Sequence, residues 1–479
     1  MPNHQQLAST SSAGMPTTLW SSRFVFIMAA VGSAVGLGNI WKFPYITGEN
    51  GGGAFVLVYL ACIAIIGLPL MMSEVMLGRR GRKSPIGTMA AVANDEGRSK
   101  QWVGVGIMAT LAAFIILSFY SVIAGWTMPY ILSALKGEFS DISADNSGAL
   151  FGQLLASPGQ LLVWHSAFMV MTVLVSAGGV RHGLERAVTK LMPALFVLLL
   201  ILVGYASTTG HFAQTLTFLF KPDFTALTAE GVLTALGHAF FTLSLASGAM
   251  MAYGAYLPQH VSIARTAVVV AIMDTGVALL AGLAIFPIVF ANGLAAGEGP
   301  GLIFVTLPVA FGQMPGGGFF ATLFFVLLLF AAWTSSISML ESLVSYLNEK
   351  GISRVKAAIG GGIAAWLLGI TTVLSLNVWS EVTPLAMFSR FESKTLFDLY
   401  DYLTANIMMP LGALFIALFV GWKMQATHSR TELGAWHKVW FPIVRYLTPL
   451  ALLTVFAFNI WGLAGLEAAW HWLTASGQG

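Results

Sequence analysis

Apolar residues along this chain gather in long runs instead of recurring on one face of a helix. The stretches 55–77, 191–205, 319–333 and 411–422 with its flanks carry almost no charge. Runs of about 18 or more such residues match the length needed to cross roughly 30 Å of hydrocarbon. The pattern predicts helical spans near 22–45, 53–78, 101–135, 160–178, 188–207, 232–257, 263–291, 318–348, 356–375, 396–422 and 442–466, eleven in all. Glycine and proline interrupt several of them. A membrane tolerates a broken helix only where protein or a water-filled cavity satisfies the freed backbone, so function is expected at the breaks.

Composition narrows the class. Of 479 residues 57% are hydrophobic and only 9% are charged, against about 25% charged in soluble domains. A soluble enzyme is excluded. The net charge of +3 implies no nucleic-acid partner once the cations are located. Eighteen of the 23 Lys and Arg fall on connections of one side, leaving Lys42, Lys136, Lys221, Arg390 and Lys394 for the other. The positive-inside rule then puts the N-terminus in the cytoplasm and, with eleven spans, the C-terminus outside. A multi-pass protein of a plasma membrane is expected. Residues 1–19 read as a polar cytoplasmic tail without the basic start and apolar stretch of a signal peptide. The single cysteine, Cys62, excludes an intrachain disulfide. Trp102, Trp126, Trp164, Trp379, Trp422 and Trp440 near span ends read as interface anchors, and His165 and His211 have no evident partners.

Two breaks correspond. The first span is interrupted within 32–39 (GSAVGLGN) and the sixth within 244–248 (SLASG), five spans later. Small residues of this kind also let helices pack closely. Paired breaks in two halves instead point to an inverted-repeat transporter with its substrate at midmembrane. An unwound segment offers carbonyl oxygens to a cation and N–H groups to an anion, which suits a zwitterion accompanied by sodium. Asn39, Thr242, Ser244 and Asp274 add hard oxygens around the breaks, a donor set for sodium and not for soft metals. A carboxylate inside a span costs several kcal/mol unless paired or bound to a cation, so Asp274 is read as functional. The alternative is a structural carboxylate satisfied by Thr or backbone. The hydroxyls of Thr334, Ser335 and Ser336 form another cluster, although such groups usually bond back to the preceding turn.

These residues carry a resemblance. The stretch 32–44 (GSAVGLGNIWKFP), followed by 49–55 (ENGGGAF), resembles the first-span signature of the neurotransmitter:sodium symporter family, whose fold is of the LeuT type. The likeness continues through Gly67-Leu68-Pro69, Glu74 with Gly78-Arg79, Tyr120 with Gly125-Trp126, 240–245 (FFTLSL), Thr334-Ser335-Ser336 with Glu341, and 397–403 (FDLYDYL). It covers nearly the whole chain and implies an all-α polytopic 5+5 inverted repeat like that of the eleven-span prokaryotic branch. The first repeat would occupy 20–207, the second 232–422, and 423–479 an eleventh span with the C-terminus.

The resemblance also implies the sites. One sodium would meet Ala34, Asn39, Thr242, Asp274 and the substrate carboxylate; a second would meet Gly32, Val35, Ala331, Thr334 and Ser335. The substrate carboxylate would meet the N–H groups of Leu37 and Gly38 and the hydroxyl of Tyr120, and its ammonium Ala34, Phe241, Thr242 and Ser244. Ile116, Ser247, Ser335 and Met339 would complete a pocket lidded by Phe241. Lys42 and Asp401 match the outer charged pair; Trp20, Tyr256 and Glu349 match the cytoplasmic gate. The chain departs from the family pattern in Lys42 for Arg, in the missing cation near Thr17, in His238 for Gln, and in Ala246-Ser247-Gly248, where the family has a bulky residue between glycines.

The expected function is sodium-coupled import of a neutral amino acid, independent of chloride, with a taurine-like or betaine-like solute as the alternative. Gly36 stands where amine transporters of the family have Asp, which argues for a substrate bringing its own carboxylate. A channel would line a pore with rings from several subunits, whereas these polar groups converge within one chain. An enzyme is disfavoured because no H-E-x-x-H or comparable motif occurs.

Overall fold

The computed structural model describes residues 19–293 and 301–476, with side chains as far as 462. The tail expected over 1–19 lies, but for its last residue, outside them, as does Thr17. Among the described residues nine helices are long and apolar enough to span a membrane, and one bent pair makes ten. In chain order the elements are α1 (Arg23–Ala34) and α2 (Gly38–Glu49), which form the bent pair, α3 (Gly53–Gly81), α4 (Pro85–Asp95), α5 (Lys100–Leu135), α6 (Ala144–Ala156), α7 (Pro158–Ala177), α8 (Val180–Thr209) and α9 (Phe212–Phe220). There follow α10 (Ala229–Thr242), α11 (Ala249–Ala255), α12 (Ile263–Ala291), α13 (Leu302–Gly312), α14 (Gly317–Glu349), α15 (Arg354–Ser375), α16 (Leu396–Lys423) and α17 (Ala426–Gly462). The count of eleven spans requires α10 and α11 to be taken together, since neither is long enough alone.

Both expected breaks are present, for different local reasons. Helix α1 opens on Ser22, whose hydroxyl accepts from the Val25 N–H, and stops where Val35 turns extended at φ −69° and ψ 109°. The next helix leaves at an angle of 54°. Between α10 and α11, Ser244, Ala246 and Gly248 hold φ of +51°, +60° and +75°, which no right-handed helix continues. For Ser and Ala this costs roughly 1–2 kcal/mol each. Two hydrogen bonds hold the segment in place: Ala246 N–H donates to Glu74 Oε1 at 2.6 Å, and Ser244 Oγ donates to the Ser33 carbonyl at 2.7 Å. The second bond ties one break to the other.

Close approach of α3 and α11 depends on missing side chains. A Cβ at Gly78 would lie 2.0 Å from the Met251 carbonyl oxygen, and one at Gly254 would lie 2.6 Å from that of Val75. Small residues that let backbones touch are the usual means of packing helices in lipid. Outward, large apolar side chains such as Leu174, Ile272 and Leu450 are exposed, as a lipid-facing surface requires.

Basic residues assigned to one side meet there. Arg79 pairs with Glu432 at 2.5 Å and Arg80 with Glu96 at 2.7 Å. Arg82 donates to the carbonyls of Ala255 and Leu257 at the end of α11, and Arg98 to that of Lys423 at the end of α16. Cations at helix C-termini complement the dipole. Burial tends to raise the Glu96 carboxyl, but the Gln425 N–H, Arg80 and His428 bonded to it hold it below the usual carboxylate range.

Some expectations need correction. Trp126 and Trp440 are buried; the first packs against Phe151 and Phe304, and the second donates to the Pro69 carbonyl at 2.8 Å. They fill the interior and do not anchor an interface. His165 lies between Ser121 Oγ at 3.1 Å and the Trp366 carbonyl at 3.2 Å, and His211 meets Gln214 Oε1 at 3.1 Å. The helix expected over 442–466 begins as early as Ala426, and α4, α6, α9 and α13 are additional short helices in connections.

Candidate substrate and ion sites

The residues around the first ion position come from three elements and meet in the interior. Asn39 from α2, Thr242 at the end of α10 and Asp274 on α12 are all buried. Asn39 Nδ2 donates to Asp274 Oδ1 at 2.8 Å and to Thr242 Oγ1 at 2.9 Å, and Thr242 Oγ1 donates to Asp274 Oδ2 at 3.0 Å. Asn39 Oδ1 accepts the Gly36 N–H at 3.1 Å. Ala34 closes α1 beside them. Among the described residues no Lys, Arg or His forms an ion pair with Asp274.

A second convergence joins the first break to α14. Ser335 Oγ lies 3.3 Å from the Gly32 and Ser33 carbonyls and 3.1 Å from that of Val35. Thr334 Oγ1 lies 3.1 Å from the Ala331 carbonyl. Carbonyl and hydroxyl oxygens here outnumber the two hydroxyl protons available, and an excess of acceptors is what a small hard cation requires.

Between the two positions is a cavity of about 30 Å³ lined by Ala34, Gly36, Leu37, Gly38, Ile116, Tyr120, Phe241, Thr242, Ser244, Ser247, Ser335, Met339 and Met409. Every residue expected in the substrate pocket is on its wall. Gly36 and Met409 were not foreseen as lining. Met409 comes from the middle of α16, beside Pro410, where the wide helical turns of Tyr402–Met408 end. Tyr120 Oη accepts the Leu37 N–H at 3.3 Å. Ser247, where the family has a bulky residue, turns its hydroxyl to the Ser244 carbonyl at 2.7 Å.

Outside the cavity a space of about 250 Å³ begins at Phe241, with Lys42, His238 and Asn406 on its wall. Lys42 Nζ sits 4.8 Å from the centre of the Phe241 ring. Asp401 is exposed, and among the described residues no ion pair joins it to Lys42. On the opposite side Trp20 packs edge-on against Tyr253 and Tyr256 and donates to the Tyr253 carbonyl. Tyr256 donates to Glu341, which Arg354 clasps with both terminal nitrogens. Glu349 is not brought to Trp20 or Tyr256; it receives the Ser84 N–H and hydroxyl instead. Glu341 stood in the quoted motif without a role, and Arg354 was counted only as a loop cation.

An exposed carboxylate without an ion-pair partner contributes little to stability, since even an exposed pair is worth only about 0–1 kcal/mol. Asp401→Ala is therefore expected to leave thermal stability within a degree or two, while uptake falls. Normal uptake by a well-expressed variant would remove Asp401 from the gate.

Comparison with known proteins places this geometry. The profile of the sodium:neurotransmitter symporter family matches residues 17–147 and 149–472. An uncharacterized sodium-dependent transporter of Bacillus subtilis is 40% identical over 93% of this chain and 98% of its own length. One of Methanocaldococcus jannaschii is 32% identical over 92% and 90%. Among solved structures, that of MhsT in complex with L-phenylalanine has a TM-score of 0.84 and 42% identity, covering 92% of this chain and 99% of that one.

Proposed function

The chain belongs to the sodium:neurotransmitter symporter family and is a sodium-dependent transporter of LeuT-type fold, and from this premise we propose that it imports a neutral amino acid by alternating access, with two sodium ions and without chloride. The observation that carries this reading is a pocket with no fixed charge of its own set against a buried carboxylate. Asp274 faces Asn39 and Thr242, and the pocket wall beside them offers N–H groups and hydroxyls. A sodium ion at Asp274 leaves a positive field for a substrate carboxylate. That carboxylate would receive the Leu37 and Gly38 N–H groups and the Tyr120 hydroxyl.

The ammonium would face the carbonyls of Ala34, Phe241 and Thr242. The rest of the wall, with Ile116, Phe241, Met339 and Met409, is apolar, which suits an aliphatic or aromatic side chain. MhsT in its complex with L-phenylalanine supports that choice. Ser247 makes the wall smaller and more polar at one point. Trp20 and Tyr256 with the Glu341–Arg354 pair would close the cytoplasmic path, and Phe241, Lys42 and Asp401 the outer one. Uptake of each of the twenty amino acids into proteoliposomes, with and without an inward sodium gradient and with taurine and glycine betaine as competitors, tests the reading. Saturable sodium-dependent uptake of an apolar amino acid is expected. Uptake confined to taurine or betaine would replace the substrate class.

Chloride independence follows from charge. Asp274 already supplies one negative charge beside the ions, Ala278 one turn on supplies none, and a second charge in a low-dielectric pocket costs more than it returns. Uptake with chloride replaced by gluconate at neutral pH should stay within about twofold. Loss restored by chloride would overturn this and direct attention to His238, whose ring lies 5.4 Å from that of Tyr59 in a tilted contact.

A further inference from the structure

At the junction of α16 and α17 a guanidinium is framed by aromatic rings. Arg445 on α17 lies against three rings, its guanidinium carbon 4.6 Å from the centre of Trp422, 5.5 Å from Phe441 and 5.6 Å from Tyr446. Trp422 donates its indole N–H to the Arg445 carbonyl at 2.8 Å, which fixes the rings around it. A guanidinium carries five N–H donors. Among the described residues Arg445 forms no ion pair, and its Nε is buried without a hydrogen-bond partner. Aromatic faces stabilise the charge, the rings enclose Nε, and the two terminal nitrogens, which among the described residues have no hydrogen bond and do not belong to the buried unpartnered atoms, are left to an acceptor from outside the protein.

Its depth names the source. Gly412 on α16 packs at the α10–α11 break, where an added Cβ would lie 3.2 Å from that of Ala246; at Gly421 it would lie 2.9 Å from the Arg445 Cα. The break marks the midplane. Nine residues at about 1.5 Å each set Arg445 roughly 13 Å from it, close to the ~15 Å half-thickness of the hydrocarbon. This is the face where Arg79, Arg80 and Arg98 gather. Trp422, Tyr446 and Leu450 are 51%, 60% and 63% exposed, an aromatic and aliphatic surface turned to lipid. Lys423 and Lys438, both exposed, add positive charge without an acidic partner among the described residues.

We propose that Arg445, framed by Trp422 and Tyr446, holds the phosphate of an anionic phospholipid from the leaflet on that face. The planar fork matches phosphate oxygens in pairs, and the rings keep the fork from turning into the protein. An acyl chain would then run along Leu450.

Native mass spectrometry of the full-length transporter, delipidated in detergent and titrated with phosphatidylglycerol, phosphatidylcholine or inorganic phosphate, tests this. One retained phosphatidylglycerol is expected, favoured over phosphatidylcholine. Arg445→Gln should lower its retention roughly five- to tenfold, from the worth of one basic residue at a lipid surface. Arg445→Lys, which keeps the charge and loses the fork, should lower it about two- to threefold and serves if the Gln variant is not recovered folded. Unchanged retention in the folded variants overturns the site. Equal retention of phosphatidylcholine overturns the preference for an anionic headgroup. Displacement of the lipid by millimolar inorganic phosphate overturns the lipid as occupant.

Discussion

Asp274→Asn should abolish sodium-driven uptake while leaving the transporter folded. The substitution keeps the shape of the side chain at the point where Asn39 and Thr242 meet it, 2.8 and 3.0 Å from its two oxygens, and exchanges the charge and one acceptor oxygen for a neutral amide whose N–H can turn to the Thr242 hydroxyl oxygen. A sodium ion about 4 Å from a carboxylate gains ~4 kcal/mol at an effective dielectric of about 20. Losing even half of that lowers sodium affinity about thirtyfold. Substrate affinity falls with it, because the substrate carboxylate depends on the same ion. The fold should respond in the opposite direction. A fully buried carboxylate without a cation is costly, so in sodium-free buffer the Asn variant should unfold at the same or a higher temperature than the native protein. The native protein should gain thermal stability as sodium is added and the variant should not. Equal sodium-dependent stabilisation of both would move the first ion away from Asp274.

The breaks and the candidate ion ligands were legible in the sequence because polar chemistry in a membrane is conspicuous. A lone Asp within an apolar span and a glycine-rich interruption have few uses in lipid, and the structure gathers Asn39, Thr242 and Asp274 at one place and Ser335 with the Gly32 and Val35 carbonyls at another. Apolar residues carry no such mark. Met409 itself carries no polar group, and although Pro410 follows it, only packing brings its side chain to the pocket. Trp126 and Trp440 fit the composition of an interface belt, and their burial depends on which face of each helix its neighbours cover. Charged partners were legible as charges and not as pairs. Glu341 and Arg354 are 13 residues apart across a turn, and it takes the packed end of α14 against the start of α15 to bond them, whereas Glu349 ends on Ser84. The sixth span was legible as one apolar run over 232–257, whereas in the folded chain the break divides it into two helices, each too short to cross a membrane alone.

Gly36→Ala should reduce transport strongly by acting on the pocket itself. Its backbone is not in the left-handed region, so the glycine serves space and not conformation. A Cβ there would lie 2.7 Å from Ser335 Oγ and 2.9 Å from Tyr120 Oη. Neither atom can retreat without losing a role. Ser335 Oγ sits among three carbonyls of the first break, and Tyr120 Oη accepts the Leu37 N–H, so relieving the clash disturbs the second ion position and the carboxylate position together. Overpacking of this kind costs about 1–3 kcal/mol, the equivalent of roughly five- to 150-fold in affinity where relief of the clash moves the ligand-binding hydroxyls. Thermal stability without ligand should therefore fall by no more than a few degrees, while the further stabilisation by sodium and substrate is lost. The same crowding explains why the pocket holds no acidic residue of its own at this position: a carboxylate on residue 36 would have to displace both hydroxyls. An amine without a carboxylate should accordingly fail to compete with the transported amino acid, and competition by such an amine at comparable concentration would show that the carboxylate is not what this end of the pocket reads.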